Sequence, residues 1–597
     1  MDRNTIIGFL LIGLVLMVWM YMTAPPPPPA TQQKDSLTTA NQNVPRDSSV
    51  AAPQVVQQRV VGDSLGKYFS SLSVGQKKTI TVETKHYRAE ISTRGGMIQS
   101  WILKDFSTWD HYPVNLINTD SKGDFHLLFY SSDGKLINTK NLYFETDIPD
   151  GQVIQVSSDD SVKINLVLKV NGESKIVKTM VFYGDLYSFD AVYNFEGMEK
   201  IISNFEYQIT WESGLRYVEH NSVNESNFAK ASGYAGGEIT DVDATKMNET
   251  VSQNISGRVT WVATRNKYFV LAIIPRGKES QGAYIEGVRK PLPDQGAKED
   301  YSLSLKMPFT GNSVETDRFT VFLGPLNFNL VRYYNVDLEK IMSLGAAWII
   351  RPISEYVIIP LFQFLHFFVP NYGIVLILFS FIVKIVLYPL TKTSMRSMQK
   401  MQALQPMMNE IREKYKDDPQ KMNQQVMRLY KEYGVNPAGG CLPMILQLPI
   451  LYALWAVFSS TIELRQASFI WWIKDLSIPD VVTTLPFRIP IFGINEISGL
   501  ALLMGITMLV QQKMSVKDPR QQAMVYIMPI LMTLMFNNFP AGLNLYYFVF
   551  NFLSIGQQMW INKQHKGEPL RKVEPGKSSG GFIGRIAKNL PNPNQKN

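Results

Sequence analysis

Hydrophobic and polar positions divide the chain into two regimes. From Val60 to about Asp337 apolar and polar residues alternate, as in Thr79-Ile-Thr-Val-Glu-Thr84, Tyr87–Ser92 and Val162–Val170. Period two predicts half-buried strands. Gly95-Gly96 and Asn171-Gly172 supply turns between such runs, so this region is expected to be a large antiparallel β-sandwich. From Tyr372 onward the alternation gives way to long apolar runs at Gly373–Leu390, Leu442–Ser460, Ser498–Gln511, Met524–Phe539 and Leu543–Ile561. Each is a candidate membrane span; the third is short and would distort the bilayer around it. Ile6–Met22 is a further apolar run, and Met22 and Pro25 spoil a signal-peptidase site behind it, so an uncleaved anchor is expected.

The predicted fold class is an α+β membrane protein. It has an anchor helix over 1–23, a disordered Pro/Ser/Thr/Gln linker over 24–58 and the β-sandwich over 59–340. An amphipathic helix over 341–371 is expected to lie in the membrane interface, because Arg351, Pro352, Glu355, Pro360 and His366 interrupt its apolar stretch. A five-helix core over 372–562 encloses a cytoplasmic helical hairpin over 391–440, and a basic disordered tail occupies 563–597.

Charge sets the expected topology. Thr391–Gly440 holds nine Lys/Arg against five Asp/Glu, Lys513, Lys517 and Arg520 fill a later loop, and Lys563–Lys596 adds eight Lys/Arg. The loop Ile462–Ile497 is poorer in cations and carries Trp471-Trp472, as an interfacial belt would. Both termini and the hairpin are then cytoplasmic, and the β-sandwich lies on the other side. The net charge of +8 suits an anionic phospholipid surface or RNA. The tail is read as topology-setting charge or as phosphate contact on a ribosome.

Chemistry concentrates on Lys384. It sits inside the first core span with Ser380 and Tyr388 at i, i+4, i+8 spacing. A cation at membrane depth is costly and generally faces a wet cavity; the plainer reading is a lysine snorkelling to the interface. The last span argues against the plainer one. Asn544, Tyr547, Asn551, Ser554 and Gln558 recur at 3, 4, 3, 4 and draw a polar stripe down one face. Interhelical hydrogen bonding is the alternative role for such a stripe. Gln447 adds a polar group inside its own span. In the hairpin, Met398, Met401, Leu404, Met408, Ile411 and Tyr415 form one stripe, and Met422, Val426, Leu429, Tyr430 and Tyr433 a second. These are expected to pack on each other, with adaptable methionines also open to client contact. Asp418-Pro419 starts the second helix and Gly434 ends it.

Several chemistries are excluded. The single cysteine, Cys441, allows no intrachain disulfide or Cys-based metal framework and reads as a packed thiol. No phosphate-binding Gly-x-x-x-x-Gly-Lys-Ser/Thr run occurs, and no paired carboxylates or His cluster suggest catalysis. No enzyme activity, metal or cofactor is expected. The sequons at Asn224, Asn248 and Asn254 carry little weight.

The stretches Leu387-Tyr-Pro-Leu-Thr-Lys392, Leu404-Gln-Pro406, Val435–Pro443, Gln447-Leu-Pro-Ile450, Glu463–Ala467, Asp475-Leu-Ser477 and Phe539–Tyr547 resemble those of the YidC family of membrane protein insertases, in family order. The resemblance implies a Gram-negative-type architecture with a periplasmic galactose-mutarotase-like sandwich lacking that enzyme's function. It implies an inner-membrane chaperone that inserts and helps fold nascent membrane proteins, alone or with the Sec translocon, through a hydrophilic groove open to cytoplasm and lipid. Clients would run past Ser380 and Tyr547. The family usually carries arginine where this chain has Lys384, so charge is kept and the planar fork is lost. A secondary transporter or ion pathway through Lys384 is the alternative; it predicts internal repeats, and none is visible.

Overall fold

The alternating segments are strands. A computed structural model describes residues 65–118, 123–435, 442–489, 492–516, 522–564 and 572. The expected anchor, the linker, Cys441 and almost all of the tail lie outside the described residues. The chain divides into two compact units that meet between Met342 and Ser343.

In the first unit an eight-stranded sheet runs in the spatial order Glu238–Val242, Lys230–Ala235, Val259–Arg265, Phe269–Arg276, Val314–Pro325, Ser188–Glu196, Lys175–Tyr183, Ser161–Lys169. A six-stranded and a five-stranded sheet complete it. Among the described strands pairing is antiparallel except where Thr79–Glu83 meets Val153–Gln155 in parallel, and an isolated parallel bridge joins Met247 to Arg289; the parallel pair departs from the all-antiparallel expectation. The reason is the long excursion between those strands, which brings the chain back in the same direction. The turn at Asn171 is an Asx-turn, its Oδ1 accepting from Glu173 N at 2.9 Å and Ser174 N at 2.7 Å. Gly95 and Gly96 adopt φ of +78° and +58°, a conformation open to glycine.

Aromatic rings fill the core. Trp101 stacks on Tyr87 with centroids 4.0 Å apart, and Phe182 and Phe189 pack beside it. One charged side chain is buried among them. Lys178 donates to Gly96 O at 2.7 Å and Phe125 O at 2.9 Å, and burial holds its ammonium pKa well below the ordinary lysine value.

The second unit is helical. Ile350–Ile353 is α-helical, Ser354–Ile358 is π-helical and α1 (Ile359–Phe368) continues the same run. The stretch expected to form a helix over 341–371 is thus helical from Ile350 to Phe368, its prolines included. The π-turn explains how: Ile359 N–H reaches back to Ser354 O, and the widened turn accommodates Pro360, which has no N–H and crowds the preceding turn. His366 stacks on Tyr372 with centroids 4.0 Å apart.

Next come α2 (Tyr372–Val386), α3 (Tyr388–Ala403), α4 (Gln405–Lys414), α5 (Pro419–Glu432), α6 (Leu442–Ser460), α7 (Gly499–Ser515), α8 (Gln522–Phe536) and α9 (Ala541–Gln564). Among the described residues no single helix is long and apolar enough to cross a membrane; α2 and α3 together pass on length and composition, bent by 65°. The apolar run expected to reach Leu390 as one span therefore ends at Val386. Pro389, at the start of α3, marks the new axis. Close packing of α7 on α8 depends on Gly505, where a Cβ would strike Thr533 Oγ1.

Candidate functional site

Lys384 occupies the last turn of α2, and 8% of its surface is exposed. Its Nζ donates to Ser554 Oγ on α9 at 2.6 Å and lies 4.5 Å from the centre of the Phe550 ring. Ser554 in turn donates to Phe550 O at 2.8 Å. An ammonium has three N–H donors. Among the described residues one hydroxyl and one aromatic face attend this one, and no carboxylate pairs with it.

The remaining residues of the expected site are dispersed around this contact. Ser380, one turn earlier, is buried and donates to Leu376 O of its own helix at 2.8 Å. Tyr388 does not share the face of α2, because the bend at Leu387 puts it on α3, 6.4 Å from the Trp560 ring. Gln447, half-buried on α6, lies next to the Tyr546 hydroxyl.

The stripe on α9 is buried along most of its length and splits into separate settings. Asn544 donates to Phe536 O at 3.2 Å. Tyr547 packs its ring on Phe536 at 5.2 Å and Tyr546 at 5.5 Å. Asn551 is 9% exposed. Ser554 serves Lys384, and Gln558 Nε2 donates to Ser515 Oγ at 3.2 Å at the end of α7. Helix rise puts Asn544 and Gln558 about 21 Å apart along the axis, so one continuous set of contacts is not formed.

Two features escaped the reading of the sequence. Phe550, four residues before Ser554, shares its face and supplies the ring over Lys384; the i, i+4 spacing was the available signal. The other is a buried carboxylate in the loop after α6. Asp480 accepts from Trp472 Nε1 at 2.9 Å, Leu500 N at 2.7 Å and Ser498 Oγ at 2.5 Å. Asn537 adds a bond from Ser498 N at 2.9 Å. This latch caps α7 and reaches the end of α8. A two-stranded ribbon, Val481–Ile489 with Ile494–Ser498, grows directly from it.

The hairpin is a small core of its own. Leu404 and Met408 pack with Leu429, Tyr430, Tyr433 and Val435, and Met401, Ile411 and Val426 close the edges. Tyr430 Oη donates to Met408 Sδ at 3.3 Å. Asp418 caps α5 through Lys421 N at 3.0 Å. Met422 is buried and Met398 half-buried on α3, whereas Met407 and Met427 are exposed. Among the described residues no group of three His, Cys, Asp or Glu side chains is placed to hold a metal.

In the helical unit a buried cation thus lies between α2 and α9, with no carboxylate beside it among the described residues. Residues 364–568 match the family model described as 60Kd inner membrane protein, and residues 79–355 match that of the YidC periplasmic domain. The chain is 40% identical over 570 residues to the membrane protein insertase YidC of Chlorobaculum parvum, covering 94% of each. It is 39% identical over 583 residues to that of Chloroherpeton thalassium, covering 96% of this chain and 97% of the relative. Among solved structures it is similar to an active YidC insertase with its first transmembrane domain resolved, at 19% identity and a TM-score of 0.34, covering 82% of this chain and 93% of that one. A putative aldose 1-epimerase from Escherichia coli aligns at 9% identity and a TM-score of 0.26, covering 42% of this chain and 99% of that one. The chain belongs to the YidC family of membrane protein insertases. It is accordingly an inner-membrane protein with a periplasmic domain, an insertase and not an enzyme, and the transporter alternative is not favoured.

Proposed function

We propose that this chain inserts clients by drawing an acidic or polar flank of a nascent segment toward Lys384, between α2 and α9. The observation that supports this reading is the ammonium's surroundings: buried, with a neutral hydroxyl and a ring for company and, among the described residues, no carboxylate to quench it. A charge kept in that state attracts an anionic group strongly, because the surrounding dielectric is low. Asn551 and Gln558 offer polar replacements for lost water once the flank has separated α9 from its neighbours. The client's apolar segment then moves past Tyr547 and Ser380 into lipid. That transfer contributes about 25 cal/mol per Å² of apolar surface, so no nucleotide is required.

In this reading 372–562 forms the insertase core and 391–440 receives the client, with exposed Met407 and Met427 available to apolar segments. Both termini face the cytoplasm, in line with the concentration of Lys/Arg on that side. The basic tail approaches a ribosome, and the chain works alone or with the Sec translocon.

The test is insertion of a single-span client with a short acidic tail into liposomes reconstituted with the full chain. Lys384→Arg is expected to retain insertion, Lys384→Ala to lower it and Lys384→Glu to abolish it. Equal insertion by wild type and all three variants would remove the electrostatic step.

A further inference from the structure

The ribbon Val481–Ile489/Ile494–Ser498 has little of the protein packed on its longer strand. Seven of that strand's nine residues are exposed, Val481, Val482 and Phe487 among them. A lone two-stranded ribbon is marginal in water, and this one leaves Val481, Val482 and Phe487 exposed while Ile494 turns inward. The preceding turn does the same: Ile470 is 45% and Trp471 78% exposed. Such an apolar patch marks a contact surface.

The base of the ribbon is fixed to the bundle. Asp480, the residue before Val481, holds the Trp472 indole and the first turn of α7. A Cβ on Gly499 would meet Val482 Cγ1 at 2.8 Å and Trp472 Nε1 at 2.9 Å, so strand and indole both sit directly on the start of α7. Strand Ile494–Ser498 runs into that helix without a linker. The patch is therefore held at the level where a helix of the inner-membrane segment begins. Lys474 and Arg488 are exposed beside it, and cations next to aromatic and aliphatic side chains match the phosphate-over-acyl layering of a bilayer interface.

We infer that this ribbon and the Trp471 turn dip into the outer leaflet's headgroup region, with Phe487, Val482 and Trp471 in the acyl boundary and Arg488 and Lys474 on lipid phosphates. The inference rests on the helical unit being embedded as proposed above. A surface so anchored fixes the depth of α7 and keeps lipid close to the exit of the client path.

The single cysteine makes the test direct. In a Cys441→Ser background, full-length protein carrying Phe487→Cys, Ile506→Cys or Val314→Cys is labelled with an environment-sensitive fluorophore and reconstituted into liposomes of phosphatidylethanolamine and phosphatidylglycerol. Ile506 is 59% exposed on α7 and Val314 is 63% exposed in the β unit. The expected result is a blue-shifted emission at 487, several-fold weaker quenching by aqueous iodide than at 314, and stronger quenching by a headgroup-proximal spin label than by one deep in the acyl chains. Iodide quenching at 487 equal to that at 314, with 506 shielded, overturns the inference alone. Iodide access at 506 as well overturns the embedding on which it rests. A label at 487 shielded from iodide yet untouched by either lipid spin label assigns the surface to protein and also overturns the inference.

Discussion

The Lys384 ammonium donates to the Ser554 hydroxyl at 2.6 Å, joining the last turn of α2 to the C-terminal half of α9. Among the described residues, Ser554→Ala leaves the buried cation with the Phe550 ring. Removing an acceptor from a charged donor costs about 1.5–3 kcal/mol. The expected outcome is a lower thermal unfolding midpoint of the purified protein, with Ser554→Thr close to wild type. Insertion of an acidic-tailed client is expected to fall less than in Lys384→Glu, since the charge remains.

Asp480 and Asn544 belong to the opposite end of the bundle from Lys384. Asp480→Ala strands the Trp472 indole, Ser498 and the Leu500 amide, and a loss of about 3 kcal/mol or more is expected in unfolding experiments. Asn544→Ala is expected to lower stability while leaving the ratio of acidic-tailed to neutral-tailed client insertion unchanged. Lys384→Ala is expected to change that ratio. Parallel insertion assays with the two clients separate these outcomes.

The hairpin's core is small enough for a single truncation to open it. Leu429→Ala removes a buried side chain from the Leu404–Met408–Tyr430 cluster, a deletion that costs about 2–5 kcal/mol. Limited proteolysis between α4 and α5 is expected to accelerate, while cleavage within the β unit stays as in wild type. Tyr430→Phe, which keeps the buried ring and loses the hydroxyl's contact to Met408 Sδ, is expected to have a far smaller effect.

In the β unit, Glu212 and His126 titrate in opposite senses. His126 Nε2 lies 3.3 Å from Glu212, and His126, with Lys140, brings the Glu212 carboxyl down to about 2. A depressed carboxyl contributes stability above its ordinary value of 4.5 and loses it as pH falls toward 2. Burial opposes the charge on His126, but Asp124 and Glu212 outweigh it and raise its pKa above the ordinary 6.5. The histidine's contribution is full below 6.5 and disappears as pH rises through the raised value. Thermal unfolding across pH is expected to show an acid limb that Glu212→Gln flattens.

Local chemistry made part of this architecture legible. Period-two runs at Tyr87 and Val162 are strands that bury mainly one face, Thr79–Glu83 is a strand that buries Thr81 as well as Ile80 and Val82, and Asp418-Pro419 starts α5 because cap and proline act within one turn. Lys384 stood out because nothing apolar accounts for it. The bend at Leu387 was hidden by hydropathy that continues smoothly to Leu390. The Asp480 latch was hidden because its partners stand 8 to 20 residues away. The ribbon from Val481 was overlooked although a β-branched run and Gly493, at φ +64°, both pointed to it. The stripe on α9 was visible as a pattern, but the pattern does not say that its members answer to different neighbours.

The 65° elbow between α2 and α3 makes the latter a lever. Sixteen residues at 1.5 Å each give an arm of about 24 Å, so its far end is carried roughly 22 Å to one side of the α2 axis. A ten-degree flex at Leu387 would sweep the hairpin through about 4 Å while moving the ammonium, only three residues from the pivot, hardly at all. The hairpin therefore stands well off the α2 axis, and any displacement of it leaves the contact between Lys384 and Ser554 close to the still point of the motion.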